Sequence, residues 1–178
     1  MSGEVKSREP LPLVSATVHD VPDVVALIGR VFTEYDLIYV PADEVPDVID
    51  FDHHYVTPYG AFWIARDGGR VIASVGVELH DHATAELHRL YVDSEYRGRR
   101  LGEALVNVVA AWCREHGVPR LILWSDTRFT HAHALYERLG FTRMGERTTP
   151  DINKSSEYGY ERPVGVADVI PNTSASSS

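Results

Sequence analysis

The sequence predicts a single α/β domain, a mixed and mostly antiparallel sheet flanked by helices in the order β-α-α-β-β-β-α-β-α-β-β. Hydrophobic periodicity switches repeatedly between the helical and the strand repeat along the chain. Three successive strand-like segments are joined by turns rather than by helices, which makes those strands antiparallel. A length of 178 residues, with 44% hydrophobic and 24% charged, suffices for one substantial core and is too short to expect two.

The elements follow in order. PLVSATV is rich in β-branched residues and reads as the first strand, with Asp20 behind it as a candidate N-cap. Val24, Val25, Ile28, Val31, Phe32 and Tyr35 then fall at helical spacing, giving an amphipathic first helix. In ADEVPDVIDFDHHYV, Val45, Val48, Ile49 and Tyr55 recur between carboxylates, a helical pattern interrupted by Pro46 and read as one short second helix. AFWIARD, RVIASVGVELH and AELHRLYVD are the antiparallel strands, and Asp67-Gly68-Gly69 is a hairpin turn between the first two. From Arg99 the helical repeat returns: Leu101, Ala104, Leu105, Val108, Val109 and Trp112 share a face, and Gly117 stands at the expected C-terminus. PRLILWSD is a buried strand, THAHALYERLG a short helix closing at Gly140, and the remainder up to Pro163 a terminal hairpin. The folded domain is set at residues 11–169, between polar tails at 1–10 and 170–178 that have nothing to bury.

A formal net charge of −9 argues against general nucleic-acid binding. No stretch approaches the roughly 20 apolar residues that span a bilayer, and MSGEVKSREP lacks the apolar centre of a signal peptide, so a cytoplasmic protein without a membrane partner is expected. Cys113 has no second cysteine to pair with and reads as packed. The pairs His80-x-His82, His131-x-His133 and His53-His54 read as turn or surface histidines, and no metal is expected. Against this acidic background YRGRRLG places Arg97, Arg99 and Arg100 between a strand end and the start of a helix. The first N–H groups of a helix lack internal partners and carry positive potential, glycine allows close backbone approach, and arginine adds charge-assisted bonds. That combination suits the phosphates of a small anionic ligand.

The segment LYVDSEYRGRRLGEAL resembles the pyrophosphate-binding motif of the GNAT superfamily of acyl-coenzyme A-dependent N-acyltransferases, and ALYERLGF resembles its second signature. The strand order agrees as well. The resemblance implies acetyl-CoA as co-substrate, with Leu90, Tyr91 and Val92 beside the pantetheine arm on a strand that bulges away from RLILWSD. The Val92 N–H then faces the thioester oxygen, and Arg97, Gly98, Arg99, Arg100, Leu101, Gly102 and Glu103 hold the pyrophosphate. Arg100 occupies the usual first glycine of that motif, and Phe129 a position where the family often has asparagine.

An amine with a pKa of about 10 must lose a proton before it attacks a thioester, and the departing thiolate needs one in return. The resemblance assigns Tyr136 as the acid for the thiolate and Glu86 with His88 as the base, Asp126 being second choice. Strand alternation puts Glu86 and His88 on one face, together with Leu90 and Val92. Glu34, Asp36, Asp43, Glu44, Asp47, Asp50 and Asp52 surround the first two helices and fit a cationic acceptor. The expected activity is acetyl transfer from acetyl-CoA to a primary amine of a small molecule or peptide, by direct attack in a ternary complex. A non-catalytic acyl-CoA-binding module on the same fold is the alternative. The sequence leaves the oligomeric state open, with a homodimer as the candidate assembly.

Overall fold

The computed structural model describes residues 11–165; the tails assigned to 1–10 and 170–178, and the last four residues of the assigned domain, lie outside them. The chain folds as β1 (Val14–Ser15), α1 (Val21–Glu34), α2 (Pro41–Glu44), α3 (Pro46–Ile49), α4 (Phe51–Tyr55), β2 (Gly60–Asp67), β3 (Arg70–Leu79) and β4 (Thr84–Val92). It continues through α5 (Leu101–Glu115), β5 (Arg120–Asp126), α6 (Thr130–Arg138), β6 (Thr142–Thr148) and β7 (Ser156–Pro163). The strands make one seven-stranded sheet in the order β1-β2-β3-β4-β5-β7-β6. Strands β4 and β5 run parallel and the other neighbours antiparallel, so the mixed sheet is the one expected.

Two local expectations are corrected. The single second helix is three short pieces, α2 to α4, because Pro46 offers no N–H to continue a helix past Val45 and instead starts a new one at its first position. Asp20 precedes α1 but makes no side-chain cap to it. Its carboxylate accepts the Thr17 N–H at 2.8 Å and pairs with Arg66 at 2.6 Å, closing the single helical turn that leads into α1.

Alternation along β2 separates the two layers. Phe62 and Ile64 meet Val24, Leu27, Ile28, Val48 and Phe51 of the first four helices. Ala61, Trp63 and Ala65 face the opposite side, where Leu105, Val106, Val109 and Cys113 of α5 pack on Val75, Val77, Leu87, Leu121 and Leu123. Cys113 is fully buried there, and burial pushes its thiol up to about 11.

The feature that positions the site is an extra residue in β4. Ser74 pairs with Tyr91 and Gly76 with His88, so two steps on β3 oppose three on β4. Arg89 takes up the slack at φ 54°, and the Ser74 hydroxyl donates to its carbonyl at 2.8 Å. This corrects the alternation read from the sequence. Glu86, His88 and Tyr91 share one face, while Leu90 and Val92 turn with Leu87 toward the α5 side.

Candidate active site

Strands β4 and β5 pair only from Thr84 opposite Arg120 to Leu87 opposite Leu123. Beyond that point the bulged strand leaves its neighbour, and the β5-facing backbone groups of residues 88–92 have no ladder there. A cavity of about 890 Å³ starts at this gap and runs to the first turn of α5. Leu90, Tyr91, Val92, Arg97, Gly98, Arg100, Leu101, Gly102 and Glu103 all line it, so the residues singled out for the cofactor converge on one groove. Arg99 does not. Its guanidinium lies 4.8 Å above the ring of Tyr96, which is itself a lining residue.

The arginines of the cluster are therefore not equivalent. Arg97 is clasped by the Glu34 carboxylate of α1, at 2.8 Å through one nitrogen, and donates to the Val92 carbonyl at 3.3 Å. Arg100 caps α5 from the left-handed region at φ 59°, where a side chain costs roughly 1–2 kcal/mol that glycine escapes. Gly102 is needed for a different reason: a Cβ there would stand 2.7 Å from Leu135 Cδ2, because α6 packs directly on the first turn of α5.

A second cavity, of about 380 Å³, adjoins the first, and Leu90, Tyr91, Phe129 and Ala132 belong to both walls. They meet at the bulge of β4. Glu86, His88 and Tyr136 all line this second cavity, and Asp126 joins them. Tyr136 is only 4% exposed, its ring held 5.7 Å from those of Phe141 and Tyr160, and its hydroxyl has no hydrogen-bond partner among the described residues. Burial, with the neighbouring Tyr91 and Tyr160, pushes that phenol above the ordinary tyrosine range, so it holds its proton at any working pH.

Glu86 is paired with His80 Nε2, and His88 Nε2 lies 3.4 Å from Glu78, whose other oxygen is 2.6 Å from His54. Burial holds the His88 imidazole below its usual value, Arg89 acting in the same sense and Glu86, Asp47 and Glu78 opposing. It is neutral at pH 7 and can accept a proton. Asp126 is engaged by Arg128, whose N–H donates to Oδ1 at 2.8 Å. His133 is buried against Ser125, 3.2 Å away, while His131 lines the larger groove.

Sequence reasoning missed an ion pair beneath the bulge. Arg89 reaches from β4 to Asp47 of α3, with Nε at 3.1 Å from Oδ2 and Nη2 at 2.5 Å from Oδ1, and the Tyr55 hydroxyl donates to the same carboxylate. Burial pushes the Asp47 carboxyl up, but the Arg89 and Tyr55 bonds outweigh it and hold it below the usual range. A signal was available. Arg89 stands in a strand of largely apolar residues, where a charge requires a buried partner, although simple alternation with Leu87 would have sent it to the α5 side.

Of the carboxylates around the first helices, Asp43 and Glu44 reach the second cavity, Glu34 and Asp47 are taken up by arginines, and Asp36, Asp50 and Asp52 stay outside. Asp151 and Glu157, from the terminal hairpin, complete the acidic wall. Burial and the repulsion of Asp151, Asp43 and Asp126 push the Glu44 carboxyl up, with Arg89 opposing.

Known proteins resemble this chain in sequence and fold. The family model of the acetyltransferase (GNAT) family matches residues 28–141. Mouse N-acetylaspartate synthetase is 34% identical over 111 residues, which is 61% of this chain but only 37% of that protein, so the chain spans little more than a third of this relative's length. A GNAT-family acetyltransferase from Staphylococcus aureus Mu50 superposes with a TM-score of 0.76 at 20% identity, covering 88% of this chain and all of the other. An aminoglycoside 6'-N-acetyltransferase complexed with coenzyme A superposes at 0.65 with 15% identity, covering 86% and 97% of the two chains. These likenesses between structures are of fold.

Proposed function

The chain belongs to the acetyltransferase (GNAT) family, whose members are acyl-CoA-dependent, and from that premise we propose that it moves an acetyl group from acetyl-CoA to a primary amine of a cationic acceptor. The supporting observation is that two cavities, one reaching a basic helix start and the other acidic, meet at the bulge of β4 beside Tyr136. Acetyl-CoA lies in the larger groove, its pantetheine amides along the open edge of residues 88–92 and its pyrophosphate at Arg100 and the first N–H groups of α5. The amine enters through the smaller cavity. His88 takes its proton, directly or through a water, and Glu86 stabilises the imidazolium. The nitrogen then attacks the thioester carbon, the Val92 N–H receives the developing oxyanion, the C–S bond breaks as Tyr136 donates to the thiolate, and the second proton, shed by the nitrogen as the amide forms, restores the tyrosine through water. Tyr136, Glu86 and His88 lining one cavity weigh against a purely binding module.

The direct test is free-thiol release from acetyl-CoA across a panel of monoamines, diamines, amino sugars, amino acids and peptides. Release with a cationic amine supports the reading, and silence across the whole panel overturns it.

The arginines provide a sharper check. Arg100→Ala is expected to raise the KM for acetyl-CoA by about the equivalent of one charge-assisted bond, roughly 1.5–3 kcal/mol, whereas Arg99→Ala leaves it nearly unchanged. Equal effects in steady-state kinetics would place the phosphates elsewhere.

The pH profile tests the base. Because burial lowers the His88 pKa, the imidazole loses its proton below the ordinary value of about 6.5, and activity should decline only as pH falls past that point. Measured with a weakly basic amine, so that the acceptor's own titration lies out of the way, the kcat/KM profile of His88→Gln should lose this acidic limb. An unchanged limb would assign the base to another group.

A further inference from the structure

We propose that the acceptor is a compact cationic amine rather than a polypeptide end, and that Asn153 is the residue that enforces this. The inference rests on the reading of the smaller cavity as the acceptor site. That cavity is bounded on one side by Leu37, Asp43 and Glu44, around the segment that joins α1 to α2, and on the other by Thr149, Asp151 and Ser155, in the segment that joins β6 to β7. Asn153 ties the two rims together. The Ile38 N–H donates to Asn153 Oδ1 at 2.9 Å, and Asn153 Nδ2 donates to the Ile38 carbonyl at 2.8 Å. One side-chain amide thus pairs with the peptide groups of a residue 115 positions away, as a neighbouring strand would. Among the described residues these are the partners of both Ile38 groups.

The clasp is built on a fixed base. Asn153's own carbonyl accepts from Arg128 Nη2 at 2.7 Å, and Nδ2 also approaches Glu44 Oε1 at 3.5 Å. The turn that carries it is closed by the Ser155 N–H on Asp151 Oδ1 at 2.7 Å and by the Thr149 N–H on the Ser155 carbonyl at 2.9 Å, with Lys154 at φ 52°. A peptide acceptor needs an open slot through which its chain leaves the site, and the clasp joins the two walls between which such a slot would run. The volume, about 380 Å³, is near the lower end for small-molecule sites. Tyr136, 4% exposed as a residue and with no hydrogen bond from its hydroxyl among the described residues, lines this compartment. Glu44, pushed toward its neutral form first by burial and then by the carboxylates around it, gains from a cation placed among them.

The test compares the full chain with Asn153→Ala and with Asn153→Asp, which keeps the shape and the Ile38 N–H bond but sets an oxygen against the Ile38 carbonyl. The acceptors are 1,4-diaminobutane and tetra-alanine amide, followed by thiol release, with the KM for acetyl-CoA and the melting temperature recorded for each protein. Wild type is expected to prefer the diamine, and both variants to shift kcat/KM toward the tetrapeptide by about ten-fold or more with the acetyl-CoA KM nearly unchanged. A wild type that prefers the tetrapeptide overturns the proposal, whether or not the variants fold. So does an unaltered ratio in either variant that retains its melting transition. If wild type binds acetyl-CoA but releases thiol with neither these acceptors nor the wider panel, the acetyl-transfer reading itself has failed, and this inference falls with it.

Discussion

Tyr136→Phe is expected to lower kcat by about 100-fold while leaving the KM for acetyl-CoA nearly unchanged, the pattern of a group that acts in the transition state and not in binding. The ring is fixed by Phe141 and Tyr160, and phenylalanine keeps both contacts. The hydroxyl has no protein partner among the described residues, so its removal strands no buried donor or acceptor. Folding stability should therefore stay the same or rise slightly. What is lost is a phenol that burial keeps protonated, next to the point where the two cavities meet and where a thiolate would form. Deleting its proton leaves the leaving group to solvent or to the amine. Circular dichroism and melting temperature establish the fold, and initial rates at saturating acetyl-CoA read the effect. An unchanged kcat in a folded variant removes Tyr136 from the chemistry.

The larger groove was legible in the sequence because its residues are contiguous: a strand end, a turn and a helix start carry Leu90 through Glu103. Contiguity also misled, since Arg97, Arg99 and Arg100 look alike in a string. Glu34, the Tyr96 ring and a left-handed backbone at Arg100 give them three different fates. The bulge was beyond a period-two reading, because the extra residue in β4 exists only relative to Ser74 and Gly76 on the partner strand. The acceptor side was hardest to see. Asp43 and Glu44 come from the short helices, Asp151 and Glu157 from the terminal hairpin, and Asn153 meets Ile38 across the whole central sheet sequence. Propensity carries no information about contacts of that range.

Asp47→Ala should destabilise the fold by about 3–5 kcal/mol, the scale for leaving one member of a buried ion pair without its partner. That is a large part of the 5–15 kcal/mol typical of a whole domain. Arg89 is 21% exposed at its side chain and Asp47 11%, so water can offset little of the loss, and the Tyr55 hydroxyl loses its acceptor in the same step. The functional consequence follows from position. Arg89 is the residue whose left-handed backbone makes the bulge, with its carbonyl tied to Ser74 and its side chain tied to α3. A freed guanidinium would swing toward the acceptor cavity, whose wall it already forms, and add positive charge where a cationic amine must bind. Urea unfolding of Asp47→Ala and of the double variant Asp47→Leu with Arg89→Met separates the two roles. Replacing both charges by apolar side chains should restore most of the stability, because no charge is then buried alone. If the bulge depends on the ion pair, the double variant should still show a raised KM for acetyl-CoA, since the pantetheine edge runs along residues 88–92. A loss below about 1 kcal/mol in Asp47→Ala would mean that the pair is hydrated like a surface bridge, and the bulge would then be held by the Ser74 hydroxyl and the β3 register alone.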